Sequence, residues 1–337
     1  MRPLAKEHTT PSTLSILKIA LLKRSASVIL SIISIYILSS CSGYSSAVAW
    51  PKAGIENKIT TSHAIPIYKL GKLILIKGEI KGITGYFIFD TGAPGLVLND
   101  QHFKNFETDP TRKVTGVNGQ IHDARVYYVH NLKLGEVGFK SQVADVIDLS
   151  HIEEKRNVKI LGLLGVNLFR GVELEIDLRK HLLRIFKTDK EGNRLHKKAI
   201  QRTSGLVSMP FRYSGALIEL KAEINNQFYR IAFDTGSETL LLDKGLVIKD
   251  SIKSSLLTNQ NLLSTDGSKS GMEIRELENI KIGLNLNKVT MLTADFKSLR
   301  AYGLNVDGLI GYDLIASGVI TINFKNRILQ IQPYAKA

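Results

Sequence analysis

The sequence predicts an all-β fold of two pseudo-symmetric β-barrel lobes. Three observations carry this expectation. Val, Ile, Thr, Tyr and Phe recur in short runs of period two, and long helical stripes are absent. Gly is frequent (27 residues) and Pro is not (8), as tight turns between short strands require. Finally, the second half of the chain repeats the first in a consistent order, the signature of an internal duplication. A length of 337 residues suits two modest domains rather than one small core.

The repeat sets out the elements in order. A shift of 144 places Gly71 on Gly215, Glu79 on Glu223, Ile80 on Ile224, Phe89-Asp90-Thr91-Gly92 on Phe233-Asp234-Thr235-Gly236, and Leu98 on Leu242. A two-residue insertion then makes the shift 146, and Gly162-Leu163-Leu164-Gly165 falls on Gly308-Leu309-Ile310-Gly311. Each copy predicts two lead-in strands (Leu73 to Ile80 and Tyr86 to Phe89; Ala216 to Ile224 and Phe228 to Phe233). An Asp-Thr-Gly turn follows, then an apolar strand (Leu96 to Leu98; Leu240 to Leu242). A Gly-rich hairpin comes next, then a buried strand ending in Gly165 or Gly311, and a closing hairpin (Val172 to Ile185; Val319 to Ile331). Short helical turns are expected at Asp148–Lys155, Asn167–Phe169 and Asp313–Ala316.

The N-terminus reads as an export signal. Lys23-Arg24 precede an apolar run from Ala26 to Leu38, long enough for a signal-peptide core and short for a membrane span. Leu38-Ser39-Ser40-Cys41 resembles a bacterial lipobox, and Cys41 is the chain's one cysteine, so it is the expected lipidation site. The alternative is an ordinary secretory signal or an uncleaved anchor. Boundaries follow: 1–40 signal peptide, 41–62 lipid-anchored tether, 63–190 first lobe, 191–204 linker, 205–337 second lobe. Ser42 supplies no acidic inner-membrane retention signal, which points to the cell envelope and, where one exists, the outer membrane. The formal charge of +14 falls to +10 without residues 1–40, and its basic residues are scattered. No arginine-rich arm or aromatic-basic pattern points to nucleic acid.

The two Asp-Thr-Gly turns carry the chemistry. An Asp ending a buried strand is withheld from water. The Gly after it lets the backbone turn sharply and frees an N–H to face the carboxylate, and the Thr hydroxyl can bond back into the scaffold. Two-fold pseudo-symmetry would bring Asp90 and Asp234 into contact. Like charges that close cannot both ionise readily, so the pair is expected to hold one proton. One Asp then acts as base on a water while the other donates to a carbonyl. The eight His residues show no His-Glu-x-x-His spacing, and no Gly-x-Ser-x-Gly elbow is present.

With these residues in place, the chain resembles the retropepsin-like aspartic peptidases, in particular bacterial two-lobe "aspartyl protease" lipoproteins. Phe87 to Ala93 looks like the family's first active-site turn and Ile231 to Ser237 like its second, and the resemblance covers roughly residues 63–335. It implies retropepsin-like lobes, a catalytic pair Asp90 and Asp234 within the turns Thr91, Gly92, Ala93 and Thr235, Gly236, Ser237, a water nucleophile, and a cleft for an extended peptide. It implies no cofactor and no metal. A peptide or protein substrate is the expected partner, with the membrane reached through the lipid anchor. A monomer is expected, because both halves of the pair lie in one chain. Gly116, Asn118 and Gly119, and Asp266 and Gly267, are the candidate flap tips. Ser237 stands where the first copy has Ala93, and a hydroxyl there is expected to bond the outer carboxylate oxygen. A catalytically silent, lipid-anchored peptide-binding module of the same fold is the alternative.

Overall fold

The computed structural model describes residues 37–38, 62–104, 109–115, 121–195, 205–249, 252–263, 269–301 and 304–335. Cys41, the signal and tether apart from a short strand at Ile37–Leu38, and the flap candidates Gly116, Asn118, Gly119, Asp266 and Gly267 lie outside the described residues.

Each lobe is built on one three-strand unit. In the first, Ile83–Phe89 runs parallel to Ile160–Leu164, which pairs on its other side, antiparallel, with Leu96–Asn99. In the second, Gln227–Phe233 runs parallel to Gly308–Ile310, which pairs antiparallel with Leu240–Asp243. The strands Leu96–Asn99, Ile160–Leu164, Leu240–Asp243 and Gly308–Ile310 are buried along their whole length. That is why they read as unbroken apolar runs rather than as alternation. Glycine permits the close approach: a Cβ on Gly162 would sit 1.8 Å from the Val97 carbonyl oxygen. The strands Asp109–Thr115 and Ile121–Val129 pair antiparallel around the first flap candidate, and Ser255–Leu263 and Lys269–Ile282 pair likewise around the second.

The expected helical turns form at Ser150–Arg156, as a 3₁₀ turn at Val166–Phe169, and at Tyr312–Ile315. Three others escaped the sequence reading: Asp100–Phe103, Lys244–Ile248 and Lys297–Ala301. They are too short to show a helical period. The first two are started by local caps, with the Asn99 side chain accepting from the Gln101 N–H at 3.3 Å and that of Asp243 from the Gly245 N–H at 3.3 Å.

The closing hairpins, which the repeat assigns one to each copy, also pair with each other. Val172–Asp177 lies antiparallel to Gly318–Asn323, with Leu174 opposite Ile322 and Ile176 opposite Ile320. The shared sheet runs Ser62–Leu70, Leu182–Lys187, Val172–Asp177, Gly318–Asn323, Ile328–Pro333, Val207–Pro210, so its two halves mirror each other. One apolar core continues through it from Ile65 to Ile331. A smaller cluster in the first lobe includes Ile152 of the helix Ser150–Arg156, and its counterpart in the second includes Leu299.

Part of the polar stretch read as a linker is tied to this sheet. Asp189 accepts from the N–H groups of Glu191 and Asn193 at 2.9 and 2.8 Å. Arg194 stacks on Phe186 at 3.5 Å, pairs with Glu173, and reaches Glu175 at 3.2 Å. Glu173 also accepts from Asn323 of the second lobe at 2.7 Å. Removing the cation leaves Glu173, 7 % exposed, without its counter-charge. Arg194→Met is therefore expected to destabilise the fold by about 3 kcal/mol in urea unfolding; a loss below about 1 kcal/mol would contradict this role.

Candidate active site

Both Asp-Thr-Gly turns begin where a buried strand runs out. The Asp90 N–H donates to the Leu164 carbonyl at 3.0 Å and the Asp234 N–H to that of Ile310 at 2.8 Å, so each aspartate is placed by the strand beside its own. Gly165 and Gly311 let the next segment close over the turn. A Cβ there would lie 2.4 Å from the Gly95 carbonyl oxygen and 2.0 Å from that of Asp234. Both glycines thus serve backbone packing.

The threonines work differently from the sequence expectation. They bond across to the opposite lobe rather than back into their own. The Thr91 hydroxyl donates to the Phe233 carbonyl at 2.8 Å and accepts from the Thr235 N–H at 2.9 Å. The Thr235 hydroxyl donates to the Phe89 carbonyl at 2.7 Å and accepts from the Thr91 N–H at 2.9 Å. Thr91 and Thr235 are each 1 % exposed, and this reciprocal ring fixes the two turns face to face.

The carboxyls meet as the repeat implied. The Gly92 N–H donates to Asp90 Oδ1 and the Gly236 N–H to Asp234 Oδ1, both at 2.9 Å. Each glycine also lies against the opposite acid. A Cβ on Gly92 would come within 2.7 Å of the Asp234 carboxyl, and one on Gly236 within 2.8 Å of that of Asp90. Any other residue would thus drive the pair apart. The two carboxyls act on each other, and both aspartates are 4 % exposed. Burial pushes Asp90 well above the ordinary carboxylate range, and the neighbouring Asp234 charge adds to it. Burial raises Asp234 as well, against the opposing pull of its hydrogen bonds.

Ser237 corrects another expectation. Its hydroxyl donates to the Thr239 carbonyl at 2.7 Å, bracing the turn from behind. Its N–H closes the turn on the Asp234 carbonyl at 2.9 Å, as that of Ala93 does on Asp90 at 3.2 Å. The lobes therefore differ in how the turn is supported.

Several supporting residues were not read from the sequence. Asn99 and Asp243 occupy equivalent places in the repeat and do the same work. Asn99 Oδ1 accepts from the Leu149 N–H at 3.0 Å, and Asp243 Oδ1 from the Phe296 N–H at 3.3 Å, each tying down the helix that follows. Around Asn99, Glu153 joins His102 at 2.7 Å and the Ile160 N–H at 3.1 Å, whereas Asp243 pairs with Arg300 at 2.6 Å. The matching numbers in the repeat were the available signal. The change of chemistry between the copies hid it.

The raised carboxyls make stability depend on pH with a definite sign. As pH rises from the ordinary carboxylate range through the higher native values, the folded pair keeps protons that the unfolded chain has released. Native stability therefore declines across that window. Asp90→Asn removes one of these groups. Its unfolding free energy relative to wild type is expected to increase from pH 3.5 to pH 7.5, by about 1.4 kcal/mol for each tenfold change in proton affinity removed. A difference that stays flat or shrinks with pH, read by calorimetry, would contradict the buried pair.

Comparisons with known proteins bear on the first of the two turns. Residues 76–168, which lie within the first lobe and include Asp90, match a family model described as aspartyl protease. No curated protein matches the chain significantly. Among solved structures, a retropepsin-like aspartic protease from Rickettsia conorii is 22 % identical, with 37 % of this chain and 89 % of that one covered at a TM-score of 0.28. Basic 7S globulin from soybean is 8 % identical, with 80 % of this chain and 94 % of that one covered at a TM-score of 0.47. Over residues 76–168, which hold the first Asp-Thr-Gly turn, the chain is similar to the aspartyl proteases.

Proposed function

We propose that this chain is an aspartic endopeptidase of the bacterial cell envelope, a monomer carrying a lipid on Cys41 that holds it at the membrane, the outer one where there are two. The observation that carries the reading is the meeting of two buried carboxyls, Asp90 and Asp234, each braced by the glycine N–H of its own turn and pressed by the glycine of the other. The aspartyl protease match over the first lobe supports the same class of chemistry.

The hydrolytic step follows from the pair's shared proton, a behaviour for which aspartic-protease dyads are the reference case. The ionised carboxylate takes a proton from a water as the water oxygen bonds to the scissile carbonyl carbon. The protonated partner gives its proton to the carbonyl oxygen. The tetrahedral diol then collapses: the C–N bond breaks, the departing nitrogen takes the proton held by one carboxyl, a diol hydroxyl gives its proton to the other, and the new carboxylic acid is released with the pair again holding one proton. No other reagent is consumed. Burial of the pair keeps one carboxyl protonated at a pH where an exposed carboxyl would be ionised.

Full-length protein incubated with a mixed peptide library between pH 3 and 8 provides the test, with mass spectrometry reporting new termini. Both Asp90→Asn and Asp234→Asn are expected to lower turnover by at least about a thousandfold, since either leaves one half of the acid–base pair. Near-wild-type turnover in either variant would sink the dyad mechanism. Peptide binding without products in wild type at every pH would favour the binding-module reading instead.

A further inference from the structure

The pseudo-symmetry fails at one place beside the pair, and the failure is structured. Behind the second turn sits Glu238, 2 % exposed by side chain, paired at 2.5 Å with Arg156. Arg156 belongs to the other lobe: it ends the helix Ser150–Arg156, whose Glu153 is bonded to Asn99, His102 and the Ile160 N–H. The guanidinium lies against the Gly71 turn, where a Cβ would come within 2.9 Å of Arg156 Nη1 and 3.6 Å of Glu238 Oε2. Gly71 has φ +65°, so a glycine both makes this turn and leaves room for the cation. The next residue completes the contact. Lys72 faces Glu238, and its ammonium reaches Asp313 at 3.3 Å. Asp313 in turn accepts from the Leu240 N–H at 3.1 Å, on the far side of the same turn.

Among the described residues the first turn has no equivalent. Pro94 stands at the position that matches Glu238 and offers no charge, and the helix Lys297–Ala301 spends its arginine within its own lobe, on Asp243. Arg156 and Lys72, both from the first lobe, thus hold the second turn on either side of Ser237 to Leu240. A buried carboxylate left without its cation is strongly disfavoured, so Glu238 is drawn to Arg156 and carries Ser237 and Gly236 with it. The charged groups facing Glu238 are Arg156 and Lys72, with Asp313 beyond Lys72.

We infer that Arg156 is a positioning residue for the reaction proposed above: acting across the lobes through Glu238, it sets where the Asp234 turn stands relative to Asp90. The inference rests on that proposal for its kinetic consequence and on geometry alone for its structural one, so two readouts separate them. In Arg156→Met, native-state hydrogen exchange at the Gly236 and Ser237 amides is expected to rise about tenfold or more, while Gly92 and Ala93 stay unchanged. The same variant is expected to lose ten- to a hundredfold in kcat with little change in KM, as a small displacement of a reacting group does. Arg156→Lys should recover part of both. To separate positioning from stability, Arg156→Met is combined with Glu238→Leu, an apolar pair that removes the buried charge. The inference predicts that this double variant regains its melting temperature while kcat stays low. Recovery of kcat along with stability, equal exchange in both turns, or an unchanged kcat in Arg156→Met would each overturn it. If wild type cleaves nothing, the peptidase proposal fails, and the exchange contrast still decides the structural claim.

Discussion

Four hydrogen bonds between Thr91 and Thr235 and the opposite strand ends hold the two lobes to one geometry. Each hydroxyl satisfies a carbonyl and an N–H of the other copy, all within a space closed to water. Buried backbone groups left unpaired there would cost about 1–3 kcal/mol apiece, so the ring resists any sliding of one turn past the other. The carboxyls inherit their contact from it. So do the glycines, whose missing side chains make room for the opposite acid. The interlobe sheet extends the same constraint outward, because Leu174 and Ile176 pair in register with Ile322 and Ile320. Two duplicated units therefore behave as one body with a single site on their shared axis.

On that symmetric frame the second copy carries most of the polar bracing. Ser237, Glu238, Thr239 and Asp313 support the Asp234 turn through side chains, whereas backbone bonds from Gly165, Val166 and Asn167 support the Asp90 turn. A duplicated pair of acids would otherwise have equivalent surroundings. Unequal support lets one carboxyl differ from its twin in environment while both remain in contact. This is the condition under which a base and an acid can be told apart in one pair.

Much of this was legible in the residues. Asp90 and Asp234 were found because Asp-Thr-Gly recurs at a fixed offset inside a long self-match, and the buried strands announced themselves by unbroken apolar runs such as Leu96 to Leu98. The direction of the threonine bonds was not legible, since a hydroxyl's partner on another lobe leaves no spacing in the chain. Ser237 misled for a related reason: nothing in the chain shows that its hydroxyl bonds the nearby carbonyl of Thr239. The pairing of the closing hairpins was hidden because alternation in Val172–Asp177 reports a buried face and not the identity of the neighbouring strand. Arg156 and Arg194 looked like ordinary surface cations. Their burial depends on Glu238 and Glu173, whose position in space the sequence does not express.

The central claim is that two lobes confine one pair of carboxyls so closely that they titrate together. Carbon-13 carboxyl NMR of the full chain, with Asp90 and Asp234 assigned, measures this most directly. The account predicts that both signals move in the same two coupled steps, the second displaced well above the ordinary carboxylate range. It also predicts that Asp234→Asn collapses the two steps into one. Two independent titrations near the values of exposed aspartates, each indifferent to substitution of the other, would contradict it.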